Sequence, residues 1–75
     1  MKKVDLSFLK ERWPSEIIAR SQVANFTGGA LNEKVIARLD GQGAGPKKIK
    51  VNGRIAYPVN DFIQWLQKRA YDDNE

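Results

Sequence analysis

The chain has 75 residues, with 13 Lys and Arg against 9 Asp and Glu for a net charge of +4, and it contains neither cysteine nor histidine. That length holds one small domain with a modest core. The two missing residue types exclude a disulfide framework, thiolate or imidazole metal sites and Cys- or His-based catalysis, so no cofactor or metal is expected.

Asp5 to Trp13 reads as a short helix, capped by Asp5, with Leu6, Leu9 and Trp13 at i, i+3, i+7 and Pro14 as its stop. Ile17-Ile18-Ala19 is long enough only for one short edge strand. Ser21 is placed to cap a second helix over Gln22 to Phe26, which Thr27-Gly28-Gly29 ends. Asn32 is the next N-cap and opens a helix to about Leu39. Ile36 and Leu39 form its inward stripe with Val35 at the margin, while Lys34 and Arg38, at i, i+4, share the outward stripe with Glu33 and Ala37 nearby. Two short helices across a glycine turn match a helix-turn-helix.

Asp40 to Pro46 reads as a flexible, glycine-rich connector. It is no phosphate loop, because a helix precedes it, a hairpin follows and Gly-Lys-Ser/Thr is absent. In Lys47 to Tyr57, two β-like runs flank Asn52-Gly53, the pair best suited to a type I′ turn. Read as simple alternation, Ile49, Val51, Ile55 and Tyr57 point one way and Lys48, Lys50 and Arg54 the other, giving a hairpin with a basic outer face. A last helix starts at Val59 or Asn60, with Val59, Phe62, Ile63 and Leu66 spaced for burial, Trp65 beside them and Lys68 and Arg69 in its final turn. Phe62, Trp65 and Tyr57 read as core rather than as base-stacking platforms. Residues 71–75 read as an acidic frayed tail.

The charge is unevenly placed. Residues 34–54 hold six cations, Lys34, Arg38, Lys47, Lys48, Lys50 and Arg54, against Asp40 alone, for +5; the remaining seven cations and eight acids net −1. A basic hairpin beside a basic helix stripe points to a polyanion. No apolar run approaches the roughly 20 residues that cross a bilayer, and no signal-peptide core follows Met1-Lys2-Lys3, so the expectation is a cytoplasmic protein without membrane association.

The order helix, turn, helix, glycine loop, basic hairpin, helix is that of a winged helix. Arg20-Ser21-Gln22-Val23, Phe26-Thr27-Gly28-Gly29, Leu39-Asp40, Gly43, Gly45-Pro46, Asn52-Gly53-Arg54, Tyr57-Pro58 and Asp61-Phe62…Trp65-Leu66 together resemble the excisionase/AlpA-type family over roughly residues 17–69. These are small phage- and island-encoded DNA-binding proteins with a MerR-like winged helix. The resemblance implies a fold that is mainly α with a small β-hairpin, in which residues 1–16 are an N-terminal extension with a short helix, 17–70 the DNA-binding domain and 71–75 the tail. It implies binding and bending of double-stranded DNA near an attachment site as a recombination directionality factor. A tyrosine integrase as partner and cooperative self-association on DNA belong to the same expectation. A small transcriptional regulator would need the same surface. No small-molecule effector is expected.

Carried over by position, Lys34 and Arg38 sit where family recognition helices face the major groove, with Asn32, Glu33 and Ala37 on the same presented end and face. Arg54 sits where a wing arginine enters the minor groove, behind the tip residues Asn52 and Gly53. Arg and Lys suit guanine in the major groove, and a narrow minor groove attracts arginine. Lys47, Lys48 and Lys50 are assigned to phosphates, which position without reading sequence. Ser21 and Thr27 could add phosphate contacts or serve only as caps, and Glu33 could accept from cytosine N4 or only stabilise its helix. A different class of function, a protein-interaction adaptor or antirepressor, predicts an exposed apolar patch, for example on residues 1–16. An enzyme is the weakest reading, because no paired acids share an expected pocket.

Overall fold

A computed structural model describes residues 2–3 and 5–72 of the chain. In order, the elements are β1 (Lys2–Lys3), α1 (Leu9–Arg12), β2 (Ile17–Ala19), a 3-10 turn (Arg20–Gln22), α2 (Val23–Phe26), α3 (Glu33–Gly41), β3 (Ile49–Val51), β4 (Arg54–Pro58), α4 (Val59–Arg69) and β5 (Tyr71–Asp72). This is a mixed α/β architecture rather than the mainly helical one expected. The hairpin gains a third strand, because Ile17, Ile18 and Ala19 pair antiparallel with Pro58, Tyr57 and Ala56, giving the order β2-β4-β3.

The core is built where the helices close over the sheet. Ile18, Val23, Phe26, Ile36, Tyr57, Val59, Phe62 and Ile63 form one buried cluster. Burying an aliphatic or aromatic side chain of this size stabilises by about 1.5–3 kcal/mol. Phe62 on α4 is the hub, with its ring 5.6 Å from both Phe26 and Tyr57 and 5.5 Å from Trp65. Trp13 meets Phe26 edge-on at 5.2 Å and donates Nε1–H to the Ile17 carbonyl at 2.9 Å. Trp13, Phe26, Tyr57, Phe62 and Trp65 are therefore packing groups.

Several local expectations change. Helix α1 is shorter than Asp5 to Trp13, because the Asp5 carboxylate accepts from the Ser7 N–H at 3.0 Å and closes a turn instead of capping a helix. Leu6, Leu9 and Trp13 still face the core, and the Leu6 N–H reaches Gln67 Oε1 at 2.9 Å, so this segment packs on α4 rather than standing apart. Ser21 does not cap α2. It lies within the 3-10 turn, and α2 starts at Val23 without a side-chain cap. Asp40 and Gly41 belong to α3, and the loop after them is held: Ala44 N–H bonds the Leu39 carbonyl at 2.9 Å, Ala44 O accepts from Trp65 Nε1 at 2.8 Å, and Pro46 is buried. The end of the chain is not wholly frayed either, since Lys2 and Lys3 pair with Asp72 and Tyr71 as a short antiparallel ribbon. Residues 73–75 of the expected tail lie outside the described residues.

The hairpin faces also differ from simple alternation. Asn52 and Gly53, with φ of 52° and 76°, form a two-residue loop, so Val51 pairs with Arg54, Lys50 with Ile55 and Ile49 with Ala56. Paired residues share a face, and a two-residue turn therefore shifts the alternation between its strands. Lys50 lies on the face of Ile55 and Tyr57, and Arg54 on that of Ile49 and Val51. The outer face is not purely basic: Val51 is 45% exposed beside Arg54. Replacing Gly53 by valine should cost about 1–2 kcal/mol, the penalty of a side chain in left-handed backbone, and lower Tm by roughly 5–15 °C. A thermal melt checks this; an unchanged Tm would mean the turn relaxes to another type.

Candidate nucleic-acid interface

Helix α3 presents its predicted stripe. Asn32 Oδ1 accepts from the Val35 N–H at 2.9 Å, an N-cap that satisfies one of the free donors of the first turn. Ile36 and Leu39 are buried, which turns Lys34 and Arg38 to solvent one helical turn apart, with Ala37 half-buried between them. The Thr27 hydroxyl is spent on the turn before α3: it donates to the Val23 carbonyl at 2.9 Å and accepts from the Leu31 N–H at 3.1 Å. That geometry assigns the Thr27 hydroxyl to the turn rather than to the outward contact expected as one alternative.

Four of the remaining candidates converge. An open cleft of about 290 Å³ lies between the start of α3 and the hairpin tip, lined by Ala19, Arg20, Ser21, Glu33, Gly53, Arg54 and Ile55. Ser21, Glu33, Gly53 and Arg54, drawn from three separate parts of the sequence, thus share one concavity. Asn52 caps the tip, while Lys47 and Lys48 are exposed on the segment entering β3 and Lys50 is exposed within it. Among the described residues the ion pair is Arg20–Asp40, so Lys34, Arg38, Lys47, Lys48, Lys50 and Arg54 are not neutralised by a carboxylate within 4 Å. The surface is a set of exposed cations on α3, the hairpin and the segment entering it, of which Arg54 lines the cleft. Its chemistry suits an extended anion.

Beneath the cleft is a polar core that composition and periodicity did not disclose. Arg20 Nη2 donates to Asp40 Oδ2 at 2.6 Å, the Tyr57 hydroxyl donates to the same oxygen at 2.6 Å, and Arg20 Nε donates to the Tyr57 oxygen at 3.1 Å. The Asp40 side chain is 5% exposed and its Oδ1 has no partner. Gly45 lies against it: a Cβ there would overlap Oδ1 and stand 3.0 Å from Cγ. The hydrogen bonds that Arg20 donates to Tyr57 and, next in weight, to Asp40 hold its pKa above the ordinary value. Arg20 is the site residue missed by the sequence reading. The available signal was Asp40, the lone acid in the basic segment, which needs a cationic partner once buried.

No family model, curated protein or solved structure matches the chain.

The triad makes a pH prediction. Burial, reinforced by the bond to Asp40, pushes the Tyr57 pKa up to about 12 from 10. The folded value lies above the unfolded one, so the stabilisation is complete below pH 10 and is lost as pH rises from 10 through 12. Tyr57→Phe should remove that alkaline decline and cost about 1–3 kcal/mol at neutral pH, because Arg20 Nε loses its acceptor. Urea melts of both proteins between pH 7 and 11.5 measure it; parallel pH profiles would disprove it.

Proposed function

We propose that the chain is a sequence-specific double-stranded DNA-binding protein of the winged-helix type, with α3 as the major-groove helix and the β3–β4 hairpin as the wing. The observation that carries this reading is the run of exposed cations, Lys34, Arg38, Lys47, Lys48, Lys50 and Arg54, on α3, the hairpin and the segment entering it, none of them in an ion pair among the described residues. A major groove admits one α-helix, and the adjacent minor groove takes an arginine where it narrows. The resemblance to the excisionase/AlpA-type proteins makes the specific role a recombination directionality factor that binds and bends DNA beside an attachment site. A tyrosine integrase is then its partner, and several copies assemble on adjacent sites. The same surface would serve a small transcriptional regulator.

The adaptor reading is less supported. It predicts an exposed apolar patch, for example on residues 1–16, where Leu6, Leu9 and Trp13 pack against the core and Phe8, at 49% exposed, is the large apolar group left outside among those described; Ile17 and Val51 are the others exposed elsewhere. One small module also reads few base pairs, so useful specificity requires repeated sites.

Titration against duplex DNA from around the gene, with competitor and at two salt concentrations, tests the proposal. Discrete stepwise complexes that survive competitor are expected, whereas equal loss on every sequence as salt rises would reduce the surface to a generic basic patch. Arg54→Ala should weaken specific complexes and flatten the preference at A·T-rich flanking positions; unchanged affinity would remove the hairpin from the groove. Lys48→Ala should weaken all sequences alike and lower the salt slope by about one, and a sequence-selective loss would show instead that Lys48 reads bases.

A further inference from the structure

We infer that the cleft between α3 and the hairpin is a phosphodiester-binding subsite, and that Arg20 is the residue that holds the phosphate. The inference rests on the DNA-binding reading above. If α3 occupies one groove and the hairpin the next, the sugar–phosphate strand dividing those grooves must pass between them. That space is the cleft lined by Arg20, Ser21, Gly53 and Arg54.

Arg20 is built for the task in a way the surface lysines are not. A guanidinium has five N–H donors in a planar fork. Two are taken by Asp40 and Tyr57. Three remain, and the side chain is 25% exposed while its acceptor Asp40 is 5% exposed. The fork is thus fixed from below by a buried carboxylate and a buried phenol, leaving donors on a side chain that lines the cleft. A preorganised fork loses less entropy on binding a phosphate than a free lysine. Arg54 and the exposed Ser21 hydroxyl, which has no hydrogen bond among the described residues, stand on the same lining. Glu33 opposes an anion there, so the subsite favours a phosphate seated toward Arg20 and Arg54 and away from the first turn of α3. Asp40 and Tyr57 then act as positioning residues: they touch no DNA and act by orienting Arg20.

The test is a neutral-phosphate scan. A duplex that the protein binds is made with single methylphosphonate replacements along each strand, and affinities are measured for wild type, Arg20→Lys and Ser21→Ala, well below each variant's Tm. For wild type, one position should cost roughly tenfold or more on neutralisation. For Arg20→Lys, binding to the unmodified duplex should fall, and the same replacement should cost less than threefold, because the fork that read it is gone. Ser21→Ala, which removes no bond of the fold, should blunt the effect at that same position and keeps the inference testable if Arg20→Lys unfolds. Tyr57→Phe, with Arg20 present but held by Asp40 alone, should blunt it as well, without shifting it to another phosphate. An identical interference pattern in wild type and all three variants would overturn the subsite while leaving DNA binding intact. Failure of wild type to bind any duplex would overturn the DNA-binding reading itself.

Discussion

The carboxylate of Asp40 is the point on which the molecule's geometry turns. It sits near the C-terminal end of α3, and a single oxygen of it receives Arg20 from the 3-10 turn after β2 and Tyr57 from near the end of β4. Three elements that carry the candidate interface are thereby tied at one atom. Bonds of this kind add little net stability when complete, yet removing one partner strands the others in a medium that cannot solvate them. The unpartnered Oδ1 and the close approach of Gly45 mark how tightly the site is packed. What the network contributes most directly is angle, since it fixes how α3 stands against the hairpin.

The aromatic cluster supports that arrangement from the other side. Phe62 touches Phe26, Tyr57 and Trp65, so α4 braces both α2 and the central strand. Trp65 also donates to Ala44, and that bond holds down the loop between α3 and β3. The polar triad and the aromatic hub meet in Tyr57, whose ring packs in the apolar cluster while its hydroxyl completes the hydrogen-bonded one. A phenylalanine there could fill the first role and not the second. Only tyrosine fills both.

Much of this was legible in the chain. The Asn32 cap, the Ile36 and Leu39 stripe, the Asn52-Gly53 turn and the burial of Val59, Phe62 and Ile63 follow from local rules, because each depends on neighbours within a turn or a hairpin. The failures share a physical origin. Asp5 and Ser21 are residues whose side chains serve turns as readily as helix caps, and the surrounding packing chose the turn or the 3-10 form. The glycine-rich loop looked flexible because glycine says nothing about Trp65 twenty residues onward. The hairpin faces were misassigned because alternation was carried straight through the turn, whereas a two-residue loop pairs Val51 with Arg54 and exchanges the faces. Arg20 went unrecognised because its partners lie 20 and 37 positions away. Convergence of Ser21, Glu33 and Arg54 on one cleft is likewise a property of the tertiary fold.

The sheet order has a kinetic consequence. Strands β3 and β4 are joined by two residues, so their ladder can zip from its own turn on the microsecond scale of hairpins. Strand β2 reaches β4 only by closing the chain between Ile18 and Tyr57, which brings the whole of α2 and α3 along. Loop-closure entropy is charged before any of that pairing is rewarded. The two halves of one small sheet therefore assemble at different speeds. Until β2 docks, Arg20 and Tyr57 are apart, Asp40 is solvated, and the outer edge of β4 is open to any other extended chain.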